Sequence, residues 1–575
     1  MKTANRNGAQ MTTPAELYDT HRELLDRAIE AAATRDYWSA FPESPSKSVY
    51  GEDAAPAGER AFRALLGQDF PIEVPGATGT VSTETSPYGL ELGIRYPKAD
   101  ATALIAAARA ATPAWREVGP NGRAGVAAEI LRRINARSFE LAHAVQHTTG
   151  QAFVMAFQAG GPHAQDRALE AVAYALAEST RMPATAAWSK PQRGGDPLRM
   201  SKTSTVVGRG VALVIGCTTF PTWNGYPGLF ASLVTGNPVI VKPHPGAVLP
   251  LAITVQIARE VLAEAGQDPN LVTLAAEEPG DGIAATLATH PDVRIIDFTG
   301  SSEFGNWLEA NASRQAVVYT EKSGLNTVIV DSTDDYKGML RNLAFSLSLY
   351  SGQMCTTPQN LLVPQGGIET DAGHRSIEEF GADLSAALDK LLGDPQRAAG
   401  TLGAIANDGV LARLTEAGHA ASIVHPSAEV ADPQWPGATI RTPVVVRLDA
   451  ADEKVYTREW FGPVSFLIAT ESTRRSLELF VETVRDHGAL TASVYSTSPE
   501  VLAAARSAAL DAGVHLSENL TGGVFVNQTA AFSDLHGTGA NPAATASLSD
   551  DYFVAGRFYT LQSRHHVAAE AGADA

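Results

Sequence analysis

The chain has 575 residues and only two cysteines, Cys217 and Cys355. Two thiols are too few for a disulfide scaffold or a four-thiolate metal centre, and no metal site is expected. There is no run of about 20 apolar residues, which argues against membrane-spanning helices. The net charge of −19 dilutes Lys and Arg too far for broad binding to nucleic acid or an anionic membrane, while leaving local basic patches open. The N-terminal stretch "MKTANRNGAQMTTPAELYDTHRELL" lacks the apolar core of a secretory leader, so a cytoplasmic location is the expectation. A full G-x-G-x-x-G, a Walker A loop, H-E-x-x-H, G-x-S-x-G and paired C-x-x-C are all missing. Their absence weighs against an ordinary NTPase, zinc protease or serine hydrolase.

What remains is the composition of an ordinary globular protein, 44% hydrophobic and 19% charged, long enough for two to four domains. Residues 1–60 combine a helical run with the Pro/Ser/Gly-rich "FPESPSKSVYGEDAAPAGE", which predicts an extended arm on the surface. From "ADATALIAAARAATPAWREVG" to "QDRALEAVAYALAEST" the apolar residues recur at helical spacing. Short apolar runs follow: "VALVIG", "NPVIVK", "LVTLAAE", "VRIIDFTG" and "NTVIVD", separated by helical patterns. Such runs read as buried parallel strands of an α/β, doubly wound fold. After Cys355, "QNLLVP", "SFLIAT", "ALTASVYS" and "GGVFVNQ" predict the strands of a second α/β domain.

Cys355 lies in "SLYSGQMCTTPQN", between small and polar residues. A turn of that kind can favour a thiolate, yet alone it fits a structural cysteine equally well. Glu321, in "VVYTEKSGLN", stands between two apolar runs, where α/β sites collect their residues; a solvated loop glutamate is the plain alternative. "DFTGSSEFG" sets Gly300 and Ser301 at a strand-to-helix turn that suits either a phosphate or simple helix capping.

Together and in order, "IIDFTGSSEFG", "TEKSG", "SGQMC" and "REWFGPV" resemble the aldehyde dehydrogenase superfamily over roughly residues 85–565. The resemblance implies a Rossmann-type cofactor domain, an α/β catalytic domain and a protruding oligomerisation element. On that reading residues 1–60 form an N-terminal arm, 61–185 and 207–324 bind NAD(P), 325–545 are catalytic, and 186–206 with 546–565 join subunits as a homodimer or a dimer-based assembly. It also implies that Cys355 attacks an aldehyde and that Glu321 activates the water which hydrolyses the resulting thioester. Lys242 matches the lysine that binds the adenosine ribose, Ser301 the residue beside the pyrophosphate, and Glu459 and Phe461 the pair that positions the nicotinamide end.

Three departures qualify that likeness. The family's N-F-P oxyanion motif stands here as Thr219-Phe220-Pro221, which leaves Asn224 or Thr219 as the side-chain donor beside the Cys355 N–H. "EKSGLN" replaces E-L-G-G-K, so a differently shaped loop is expected around Glu321. The glutamate common three residues after the lysine is Pro245 here, preceded by His244; without that carboxylate NADP becomes the expected cofactor, with NAD possible. Cys217 is expected to be packed in the core near the site, and His565 and His566 to be solvated in an Ala-rich tail.

Within the superfamily, "GGPHAQDRALEAVAYA", "TFPTWNGYPGLFASLVTGNP", "KSGLN" and "LHGTGANPAATASLSDDYFVAGRF" look like the PaaN type of phenylacetic acid degradation protein. The implied substrate is a CoA-linked, ring-opened semialdehyde of phenylacetate catabolism (3-oxo-5,6-dehydrosuberyl-CoA semialdehyde type), with a separate hydratase or ring hydrolase as pathway partner. A general dehydrogenase for free aromatic or aliphatic aldehydes is a second reading. A catalytically silent scaffold of the same fold is a third.

Overall fold

Leu17, His21, Leu25, Ala28 and Ala32 recur at helical spacing, and in the computed structural model, which describes residues 12–568, they form the buried face of helix α1 (Pro14–Thr34). Thr13 and Glu16 close a capping box at its start. The buried stripe of α1 packs on α2 (Ala101–Ala136) and α3 (Pro162–Thr180) within the largest apolar cluster of the molecule. Over Pro14–Thr34 this corrects the expectation of an extended surface arm. The stretch 1–60 also ends inside a helix, Ala54–Leu65. Helix α2 bends at Gly119, whose φ of 74° interrupts the helix just before Pro120.

The first sheet is built from runs with nearly every residue buried: β1 (Val211–Ile215), β2 (Val239–Lys242), β3 (Val272–Leu274), β4 (Val293–Thr299) and β5 (Val317–Glu321). All are parallel, in the order β3-β2-β1-β4-β5. Parallel sheets are covered on both faces, which is why these strands read as unbroken apolar runs. Helix α4 (Pro221–Val234) follows β1 with Pro221 at its start, and α5 (Ser302–Asn311) follows β4. Gly228 lets α4 lie close on β4, because a Cβ there would come within 2.4 Å of Asp297 Cγ. The order reverses between β1 and β4, and the carboxyl ends beside such a switch point form a ligand crevice.

The second sheet holds β6 (Thr327–Val330), β7 (Asn360–Pro364), β8 (Ile423–His425), β9 (Val444–Asp449), β10 (Val464–Thr470), β11 (Thr491–Tyr495) and β12 (His515–Glu518). Its order is β8-β9-β10-β7-β6-β11-β12, parallel except for β8 against β9. The predicted strand "GGVFVNQ" is instead an irregular loop. Val524 is 61% exposed there, while Phe525 packs at a tilt against Phe345 of helix α6 (Tyr336–Ser348) and Asn527 Nδ2 donates to the Ser346 carbonyl. Side-chain anchors and two glycines take the place of ladder hydrogen bonds.

A third sheet pairs Gly195–Gly208 with Thr185–Gln192 on one side and Phe558–His566 on the other, all antiparallel and largely exposed. His565 and His566 therefore lie in a strand, exposed, not in a loose tail. Residues 546–557, grouped above with this element, instead pack on the first sheet, where Phe553 meets Tyr319 and Arg557 pairs with Asp297. Residues 1–11, which open the stretch read above as leaderless, and 569–575 lie outside the described residues. No helix among the described residues is long and apolar enough to cross a membrane.

Candidate active site

Cys355 follows α6 through a tightly constrained turn. Tyr350 and Ser351 are buried and adopt left-handed φ values of 54° and 49°, and Gly352 follows at 64°. Non-glycine residues stay in that region only when their surroundings hold them there. The Tyr350 hydroxyl donates to the Thr149 carbonyl, and Ser351 Oγ to the Arg441 carbonyl at 3.3 Å. A Cβ on Gly352 would lie 2.2 Å from the Gly462 carbonyl oxygen. Asn326 Nδ2 then ties down the carbonyls of Cys355 at 2.7 Å and Thr357 at 3.0 Å. The nucleophile candidate is thus held by backbone on both sides, with its thiol half-buried.

Glu321 ends β5, its carbonyl accepting the Gly300 N–H at 3.0 Å. Its carboxylate is 3% exposed. Asn224 Nδ2 donates to Oε1 at 3.3 Å, and His536 Nε2 meets Oε2 at 3.0 Å. One donor atom each from Cys355, Glu321 and His536 lie within 4.8 Å of one another. Burial pushes the Cys355 thiol well above the ordinary thiol range, and the adjacent Glu321 carboxylate adds to the effect. Burial also raises Glu321, but the His536 imidazole and hydrogen bonds from Cys355 and Asn224 outweigh it and leave the carboxyl below its usual value. The resting pair is therefore a protonated thiol beside an ionised carboxylate.

The two candidates for the oxyanion donor separate in space. Asn224 faces Glu321, whereas Thr219 lies beside Cys217 and its carbonyl accepts from Gln151 Nε2 at 2.8 Å. Cys217 stands at the site's edge, its Sγ 3.7 Å from Asn224 Oδ1, and burial pushes its thiol up to about 11.

Of the residues matched above to a dinucleotide, Lys242, His244, Gly300 and Ser301 lie along the carboxyl ends of the first sheet, while Glu459 and Phe461 come from the loop before β10 of the second. Lys242 ends β2 and forms a buried ion pair with Glu277, whose other oxygen accepts the Ile283 N–H at 2.8 Å. Gly300 and Ser301 open α5; the exposed Ser301 caps the helix through a 3.4 Å bond from the Phe304 N–H. Glu459 and Phe461 line one cavity with Cys355, and Glu459 Oε1 accepts from the Gly324 N–H at 3.4 Å. His244 differs: it is exposed, and its Nδ1 accepts the Gly246 N–H at 3.0 Å in a turn, so it is engaged locally. A cation–carboxylate pair for ribose hydroxyls, an open helix N-terminus for phosphate, and a carboxylate with an aromatic ring near the thiol together fit a nicotinamide dinucleotide.

A model described as the aldehyde dehydrogenase family matches residues 90–532. The chain belongs to the aldehyde dehydrogenase family. A solved structure, an NAD-dependent aldehyde dehydrogenase from Burkholderia multivorans, is 58% identical, covers 96% of this chain and 99% of its own, and superposes with a TM-score of 0.95. N-succinylglutamate 5-semialdehyde dehydrogenase of Chromobacterium violaceum is 31% identical over 275 residues, 47% of this chain and 52% of that protein. The chain thus spans about half the length of that curated relative. Vanillin dehydrogenase of Pseudomonas fluorescens is 25% identical over 417 residues, 70% of this chain and 80% of that protein.

Three residues of this aldehyde dehydrogenase site escape a reading by motif. Asn326 lies within "EKSGLN", beside the glutamate, and only the fold shows that it holds the cysteine loop. Glu277 and His536 reach the site from loops; the sequence signal of Glu277 is only a titratable side chain among small or turn-forming neighbours, and His536 falls in "LHGTGANPAATASLSDDYFVAGRF", a segment that carried a subgroup likeness and no site role.

Proposed function

We propose that this protein oxidises an aldehyde to a carboxylic acid with NAD(P)⁺, using Cys355 as nucleophile and Glu321 as base. The observation that carries the reading is the contact between the half-buried Cys355 thiol and the ionised Glu321 carboxylate. The Cys355 thiol proton passes to solvent water as sulfur bonds to the aldehyde carbon, which leaves Glu321 ionised for the later step. Asn224 Nδ2–H and the Cys355 N–H are the donors nearest the oxyanion that develops; the long 3.3 Å bond from Asn224 to Glu321 is readily exchanged for it. NAD(P)⁺, when bound, supplies the hydride acceptor that turns this adduct into a thioester. Glu321 then takes a proton from water, the water oxygen attacks the thioester carbon, and the thiol departs with release of the acid.

For the substrate, the segments that look like the PaaN type favour the CoA-linked semialdehyde over a free aldehyde, with ring hydrolysis left to a separate protein. For assembly, the exposed edge strands Thr185–Gln192 and Phe558–His566, the latter bearing Tyr559 and Leu561, are surfaces for a second copy of the chain. Purified wild-type and Cys355→Ala protein, assayed for NAD⁺ and NADP⁺ reduction with a CoA semialdehyde and with free aromatic and aliphatic aldehydes, test the assignment. Cysteine-dependent turnover of the CoA compound alone is expected. Equal rates on a free aldehyde would replace it with the general dehydrogenase, and silence on every substrate would leave a scaffold.

A further inference from the structure

His536 belongs to none of the motifs that announce the site, and the family match, residues 90–532, stops short of it. Its imidazole is 3% exposed, and Nε2 lies 3.0 Å from Glu321 Oε2. An ionised carboxylate only accepts hydrogen bonds, so against ionised Glu321 the Nε2 atom carries the proton and donates it. The other carboxylate oxygen is held by Asn224. Glu321 is thereby bonded at both oxygens.

The loop carrying His536 is fastened from several directions. Its N–H donates to Ser549 Oγ at 3.1 Å, and its carbonyl accepts the Leu548 N–H at 3.0 Å. The Trp223 ring packs edge-on against the imidazole at 4.6 Å. Arg167 of α3 donates to the Asp534 carbonyl and to Thr529 Oγ1, both at 3.0 Å. Trp38 closes on Phe532, a buried residue held at a φ of 66°. The segment after α1 and the strained Phe532 turn thus brace one side chain, as expected where a functional group must not drift.

We propose that His536 is the positioning residue for the base of the deacylation step, donating Nε2–H to Glu321 Oε2 so that the ionised carboxylate stays directed at Cys355 while it activates water. This rests on the reading of Glu321 as the base. In that step one proton leaves water for Glu321, the water oxygen bonds to the thioester carbon, the C–S bond breaks, and the proton returns to sulfur. Glu321 can accept the proton only while ionised, and burial works against ionisation. Its other titratable neighbours oppose it or are engaged elsewhere: Cys355 and Cys217 are neutral thiols, Asp297 is paired with Arg557, His515 Nε2 bonds the Gly537 carbonyl at 3.0 Å, and Arg167 sits over the Trp223 ring. Removing His536 therefore leaves Asn224 and the thiol as the carboxylate's donors.

The test is hydrolysis of p-nitrophenyl acetate, which needs neither aldehyde nor dinucleotide. The p-nitrophenolate burst reports acylation of Cys355, and the steady rate per burst site reports deacylation. Counting sites by the burst separates a slow enzyme from a misfolded one. In His536→Ala we expect a burst of wild-type rate constant, a steady rate at least tenfold lower at neutral pH, and an acid limb of the deacylation profile moved up by about one pH unit or more, each unit being a factor of ten. His536→Gln, which offers a non-titrating donor at the place of Nε2, restores the hydrogen bond but not the Coulombic share of the His536 effect, and so moves the limb part of the way back. An unmoved limb and rate in His536→Ala, or a Gln variant no better than Ala, overturns the role of His536. A wild-type protein with no burst, or Glu321→Gln deacylating normally, overturns the base reading instead.

Discussion

The Cys217 thiol lies 3.7 Å from Asn224 Oδ1, and on the opposite side of the same amide Nδ2 points at Glu321. An S–H donor on the oxygen fixes which way the amide faces, so Asn224 presents its N–H groups to the reacting centre.

Asn224→Ala therefore removes the side-chain oxyanion donor while leaving Cys355 in place. A loss of about 100- to 1,000-fold in kcat is expected, in line with removal of one such donor elsewhere. Asn224→Asp is expected to be worse, because a second carboxylate would face Glu321. Steady-state kinetics with iodoacetamide labelling of Cys355 as a folding control decide it; a Thr219→Val variant that falls further than Asn224→Ala would assign the donor to Thr219.

The Lys242–Glu277 pair bears on cofactor choice. Pro245 removes one carboxylate from the ribose position and favoured NADP⁺ on sequence alone, yet Glu277 brings another to the same lysine from the loop after β3. A carboxylate there accepts from a ribose 2′-OH and repels a 2′-phosphate. NAD⁺ is accordingly the expected preference, and Glu277→Gln is expected to raise the ratio of NADP⁺ to NAD⁺ specificity by about tenfold or more, roughly the 1.4 kcal/mol of one modest electrostatic contact. Dinucleotide titration followed by protein fluorescence measures the same shift without turnover.

The titration of Cys355 carries a definite sign. Its thiol is raised by burial and then by Glu321, so the reactive thiolate grows in only above the ordinary thiol range. Alkylation by iodoacetamide should keep accelerating with pH past the point where a free cysteine levels off. Glu321→Gln removes the negative charge, lowers the thiol value and makes labelling at neutral pH faster, even as turnover is lost. Labelling slowed by Glu321→Gln would show that the carboxylate activates the thiol more than it suppresses it.

Much of this was legible before the fold was known, for a physical reason. Parallel strands buried on both faces have to be continuous apolar runs, so β1 to β5 were readable, and Glu321, Gly300 and Ser301 sit where such runs stop. The "GGVFVNQ" segment misled because its Val and Phe residues have strand composition, while Phe525 and Asn527 spend their contacts on α6. Helix α1 had the right spacing, but the Pro-rich stretch behind it suggested an arm. His536 was unreadable: it reaches Glu321 across 215 positions of sequence, through a loop shaped by Arg167, Trp38 and Ser549.

Arg557 and Asp297 join the C-terminal segment to β4 through two bonds of 2.8 and 2.6 Å. The guanidinium is fully buried and sits over the rings of Tyr319 and Phe553 at 4.4 and 4.1 Å. Asp297 also lines the cavity beneath Glu321, so the pair supports the floor of the site. Removing one partner of a buried ion pair strands the other charge and typically costs about 3–5 kcal/mol. Asp297→Leu is therefore expected to lower the denaturation midpoint sharply and to loosen Phe558–His566 from Gly195–Gly208. Hydrogen exchange across residues 546–566 would register that loosening first. Replacing both partners, as in Asp297→Leu with Arg557→Met, removes the stranded charge and should recover most of the loss. A double variant no more stable than Asp297→Leu alone would mean that the pair's geometry, and not charge compensation, holds the segment in place.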